Sequence, residues 1–137
     1  MVKIKVTYEG NLRTTAFHEE SGAEIKTDAP KENHGKGEFF SPTDLISAAL
    51  GTCVITVMGI LANKLKVDLK GLRATVEKEM ATSPSRKVGK IIVHIFCPST
   101  FDREITSKLE QAGIGCPVHH SLHPDVQQEM IFHWGEA

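Results

Sequence analysis

Apolar and polar residues alternate at both ends of the chain and stop alternating in the middle. Val2, Ile4, Val6 and Tyr8 alternate with Lys3, Lys5 and Thr7, which predicts a half-buried strand. Glu9-Gly10-Asn11 predicts a short turn, residues 12–18 a returning strand, and Ser21-Gly22 a second turn into a strand over 23–28. Residues 29–40, APKENHGKGEFF, read as a polar loop with an apolar tip at Phe39 and Phe40. From Leu45 to Ala62 the chain then runs 18 residues without a charge. Alternation returns at Leu72, Ala74, Val76 and Met80. It breaks at Thr82-Ser83-Pro84-Ser85 and resumes over 90–97, predicting an antiparallel hairpin. A second amphipathic helix is expected over roughly 101–113, capped by Ser99 or Thr100 and closed by Gly113 and Gly115. A short helix over 117–122 and a last strand through Val126, Gln128, Met130, Phe132 and Trp134 complete the order. The order β-β-β-α-β-β-α-α-β predicts an α+β fold, with helices on one face of antiparallel sheet.

The uncharged stretch is the element the rest must cover. Ser41 suits an N-cap, Pro42 the first helical position, and Asp44 stands three residues after Ser41 as an acidic capping box. The helix runs about six turns and is apolar on nearly every face, so it belongs in a protein core or in lipid. Its length reaches the threshold for a membrane span. Ser47, Thr52, Thr56, Gly51 and Gly59 dilute it, however, and favour a core helix packed through Ala48, Ala49 and Gly51. One chain of 137 residues covers such a helix poorly, which favours a homodimer with a shared core.

Composition narrows the class without naming a function. The length predicts a single domain over 1–137, and 24% charged with 40% apolar residues is ordinary for a soluble chain. A net charge of −1 gives no field for nucleic acid or an acidic membrane. The N-terminal alternation is unlike a signal peptide. Three cysteines without such a segment predict a reducing, cytoplasmic setting and no disulfide scaffold.

The chemistry rests on thiols. Cys116 precedes Pro117, so its sulfur is expected at a helix N-terminus, where free N–H groups favour a thiolate. His119 and His120 follow within a turn. On local electrostatics Cys116 is therefore the more reactive thiol, while Cys53, in mid-helix, reads alone as a core residue. Cys97 also reads as core.

SPTDLISAALGTC followed at a distance by CPVHHSL resembles the OsmC/Ohr family of thiol-dependent hydroperoxide reductases, across nearly the whole chain. The resemblance implies an OsmC-like fold with a long buried central helix, an intertwined homodimer and an active site at the subunit boundary. It implies Cys53 as the peroxidatic thiol and Cys116 as the resolving thiol, closing a disulfide that an external dithiol, such as a lipoyl-type one, reopens. No cofactor or metal is implied, and no nucleic-acid or membrane partner. The family places an activating Arg in the loop before the helix and a Glu ten residues before the first Cys. Here that Glu position is Thr43, and residues 29–40 contain no Arg. Asp44 stands in for the Glu on this reading, and Lys36 or Arg13 for the Arg. An apolar wall of Phe39, Phe40, Leu50, Val54 and Val57, with Lys36, would suit an organic hydroperoxide. The expected function is thus oxidative-stress defence by a peroxidase. The alternative is a non-catalytic dimer that senses oxidants or binds an apolar ligand. A lesser alternative is a metal site at Cys116, His119 and His123.

Overall fold

A computed structural model describes residues 1–137 as two compact units, 1–46 and 47–137. The first unit is a three-stranded antiparallel sheet, β1 (Ile4–Gly10), β2 (Arg13–His18) and β3 (Glu24–Asp28), in that order. Asn11 and Leu12 both take positive φ, 55° and 63°, which makes the two-residue turn whose twist matches a hairpin. A single 3₁₀ turn, Lys31–Asn33, interrupts the loop that follows.

Helix α1 (Pro42–Leu65) starts as the sequence predicts. Ser41 Oγ accepts from the Asp44 N–H at 3.0 Å, and Asp44 Oδ2 accepts from the Ser41 N–H at 2.9 Å, a reciprocal box with Asp in place of Glu.

The second unit carries most of α1 and a second sheet, β4 (Arg73–Ala81), β5 (Lys87–Cys97) and β6 (Gln127–Trp134), with α2 (Arg103–Ile114) and α3 (Pro117–Ser121) between β5 and β6. Two expectations are corrected here. The sheet is not wholly antiparallel, because β6 runs parallel to β5. A crossover through two helices returns the chain in the same direction, which a hairpin cannot do. Helix α2 is capped by Asp102, whose carboxylate accepts from the Ile105 N–H at 3.0 Å, and not by Ser99 or Thr100.

The core of this unit lies between the helices and the inner face of the sheet. Leu50, Val54, Met58 and Ala62 form one stripe of α1, and they pack with Ile91, Val93 and Ile95 of β5 and Leu109 of α2. The glycines allow the approach. A Cβ at Gly51 would stand 2.5 Å from Val76 Cγ2, and one at Gly113 would stand 3.0 Å from Val54 Cγ1. Helix α1 is long and apolar enough to cross a membrane by length and composition, yet this stripe is fully enclosed by protein. The helix is not buried all round, however. Ile46 is 40% and Ile60 52% exposed.

Candidate functional site

Two thiols meet at the rim of the second core. Cys53 follows the stripe formed by Leu50 and Val54, so it sits beside the core and is half-exposed. Cys116 arrives from the other side. Helix α2 stops where the Gly115 N–H folds back on Gln111 O at 3.0 Å, and Cys116 takes an extended conformation, φ −68° and ψ 153°, as the N-cap of α3. Pro117 at the first helical position fixes that geometry, as the sequence predicts. The Cys116 side chain is fully buried, and its sulfur accepts from the His119 N–H at 3.4 Å. The Cys53 thiol is close enough to act on the ionisation of Cys116. The 62 residues between the two cysteines are thus closed by packing alone.

Burial is what decides the ionisation of Cys116. It pushes the thiol above the ordinary range, and neighbouring Cys53 adds to this, while the His119 and Val118 N–H groups pull the other way. At Cys116 the helix end does favour the thiolate, but burial outweighs it. Cys97, at the end of β5, is 1% exposed and is likewise raised by burial.

The histidines near Cys116 turn to other partners. His119 Nδ1 is 2.7 Å from Gln128 Oε1, and His123 Nδ1 accepts from the Asp125 N–H at 3.0 Å. No three metal-ligating side chains converge, so the lesser alternative of a metal at Cys116, His119 and His123 lacks its ligand set.

The remaining candidates lie in the first unit or at its end. Asp44 serves the α1 cap, and it stands nine residues before Cys53, about 13 Å along the axis and on the opposite face. Lys36 is exposed, and so are Phe39 and Phe40, at 42% and 55%. Leu50 and Val54 are fully buried, which removes them from the expected apolar wall. Arg13 finds its partners within the first unit. Its guanidinium lies 5.2 Å from the Phe39 ring, bonds to Glu38, and sits 3.6 Å from Asp28 Oδ2. Asp28 is 1% exposed, and sequence reasoning gives it no role. The Glu38 N–H donates to it at 3.0 Å and, with Arg13, holds its carboxyl below the ordinary range against the burial that would raise it. The signal available was slight: Asp28 closes a strand directly before a Pro- and Gly-bearing loop, and its pairing with Arg13 depends on the β2–β3 register.

An α+β chain with one cysteine in a long central helix and a second before a proline defines a recognisable class. The family model for the OsmC-like protein matches residues 35–130. A structure from Psychrobacter arcticus 273-4, described as a candidate osmotic stress induced and detoxification response protein, is 43% identical, with a TM-score of 0.92 over 97% of this chain and 96% of that one. An organic hydroperoxide resistance protein OsmC from Legionella pneumophila, 18% identical, shares the fold with a TM-score of 0.78 over 97% of this chain and 96% of that one. A candidate organic hydroperoxide resistance protein from Vibrio cholerae, bearing captopril in one active site, is 16% identical, with a TM-score of 0.75 over 95% and 90%. No curated protein matches the chain. The chain belongs to the OsmC-like family.

Proposed function

We propose that the chain is a thiol-dependent reductase of organic hydroperoxides, with Cys53 peroxidatic and Cys116 resolving. The observation that carries this reading is a partly exposed thiol, Cys53, beside a buried one, Cys116, close enough to alter its ionisation. The Cys53 thiolate attacks the O–O bond of ROOH, the sulfur becomes a sulfenic acid, and RO− leaves, taking up the proton the thiol had released to become ROH. Cys116 condenses with it, releasing water and forming a disulfide, a bond that needs Cα atoms within about 7 Å. An external dithiol, the lipoyl type being one candidate, returns both thiols. The reading takes residues 1–137 as a single cytoplasmic domain that works as an intertwined homodimer. Exposed apolar residues on α1, Ile46 and Ile60, and on β1, Ile4, Val6 and Tyr8, supply surface for the second copy. Phe39 and Phe40 offer apolar surface for the organic group, with Lys36 beside them in sequence.

A second reading, a dimer that senses oxidants without turnover, is favoured by one observation: the Asp44 carboxylate offered as an activator is engaged in the helix cap. A coupled assay with dihydrolipoamide and cumene hydroperoxide separates the two. The enzyme reading expects steady turnover in the wild type and its loss in Cys53→Ser. A single stoichiometric oxidation without steady state would establish the sensor instead.

A further inference from the structure

The inner face of β6 should be apolar throughout, since Met130, Phe132 and Trp134 of that row pack on the core. Gln128 breaks the row. It pairs with Ile91 in the parallel register and so shares the inward face. Both ends of its amide go to one residue. Nε2 donates to the His119 carbonyl at 3.3 Å, and Oε1 faces His119 Nδ1 at 2.7 Å. The carbonyl fixes which way the amide points, so Oε1 is the acceptor and Nδ1 carries the proton. His119 is thus clamped by backbone and ring together. Its own N–H is the donor that reaches the Cys116 sulfur at 3.4 Å. Helix α3 has only five residues, too few to hold its own geometry.

We propose that Gln128, acting through His119, is a positioning residue for Cys116 in the disulfide-forming step. This rests on the two-cysteine reading above. In that step the Cys53 S–O bond breaks and the Cys53–Cys116 S–S bond forms. The Cys116 sulfur supplies the electron pair of the new S–S bond, the S–O pair leaves with the hydroxyl, and the Cys116 proton joins that hydroxyl to give water. A buried thiol must give up its proton here, and the N–H of His119, with that of Val118, steadies the developing thiolate. The clamp keeps the His119 N–H on the sulfur.

The test follows the full-length protein after one equivalent of cumene hydroperoxide. Dimedone traps the Cys53 sulfenic acid, and mass spectrometry counts disulfide against time from pH 6 to 10. In Gln128→Ala the sulfenic acid is expected to persist about tenfold longer, while the first equivalent of peroxide is consumed at the wild-type rate. The rising limb of disulfide formation moves to higher pH. Gln128→Glu keeps the acceptor for Nδ1–H and recovers part of the rate. Unchanged sulfenic lifetime and pH midpoint in Gln128→Ala would overturn the proposal. If Gln128→Ala does not fold, Gln128→Glu and His119→Ala decide the matter: a slowed second step in His119→Ala with partial retention in Gln128→Glu supports the clamp, and wild-type behaviour in both overturns it. A wild type that consumes no peroxide would instead contradict the underlying reading. The clamp is then judged by the pH at which iodoacetamide alkylates Cys116 in a Cys53→Ser background, an upward shift with Gln128→Ala supporting it and no shift overturning it.

Discussion

Replacing Gly51 with alanine tests the contact that seats α1 on the sheet two residues before Cys53. The new methyl would stand 2.5 Å from Val76 Cγ2. Apolar carbons settle at about 3.5–4.0 Å, so the helix or the valine must yield by roughly 1 Å or more. Val76 is β-branched and stiff at χ1 on its strand, so it relieves little of this by rotation. Overpacking of this kind costs about 1–3 kcal/mol. Alanine in place of glycine returns about 1 kcal/mol of helix propensity. The expected net loss is about 1 kcal/mol, or a Tm lower by about 3–5 °C for a chain of this size. Urea unfolding of the wild type, Gly51→Ala, Val76→Ala and the double variant closes the cycle. The two changes should couple favourably by about 1–2 kcal/mol, because the shortened side chain vacates the space the methyl needs. Gly51→Ala more stable than the wild type by the propensity gain alone, with no coupling to Val76→Ala, would refute the packing argument.

Three further outcomes are expected. Burial raises the Cys97 and Cys116 thiols, so the folded state holds their protons more tightly than the unfolded chain does. Their contribution is complete below the ordinary thiol range and is lost as pH rises above that range through the raised folded values, so the urea midpoint should fall as pH climbs past the ordinary thiol range, and fall less in Cys97→Ala. Asp28 has the opposite sign. Its lowered pKa contributes stability above the ordinary carboxyl range that is lost as pH drops through the folded value, so thermal melts should show Asp28→Asn less stable than the wild type at pH 7, with the gap shrinking in acid. Sedimentation should give twice the chain mass, and a stable monomer would leave the exposure of Ile46 and Ile60 without its proposed cover.

The features legible in the sequence are those set by near neighbours. Ser41 and Asp44 announce the cap because a capping box spans four residues, and the alternation from Leu72 to Met80 gives a face because strand period is local. The direction of β6 is not legible. Alternation assigns faces but not sense, and only the crossover through α2 and α3 sets β6 parallel to β5. The ionisation of Cys116 escapes sequence reasoning for a related cause. Its helix end is written in Pro117, but its burial comes from packing with residues far along the chain, and the latter wins. The apolar run of α1 overstates its burial, because such a sequence reports what a helix tolerates, not what one chain supplies to cover it. The clamp of Gln128 on His119 and the pairing of Asp28 with Arg13 both depend on strand register, which residue patterns leave open.

The most direct measurement of the two-thiol chemistry is peptide mapping of the non-reduced protein after one equivalent of cumene hydroperoxide. A single new linkage is expected, joining the peptide of Cys53 to that of Cys116, formed within one chain and lost on adding dihydrolipoamide. Oxidation that stops at Cys53, or a bond drawn instead to Cys97 or to another molecule, would contradict the proposed cycle.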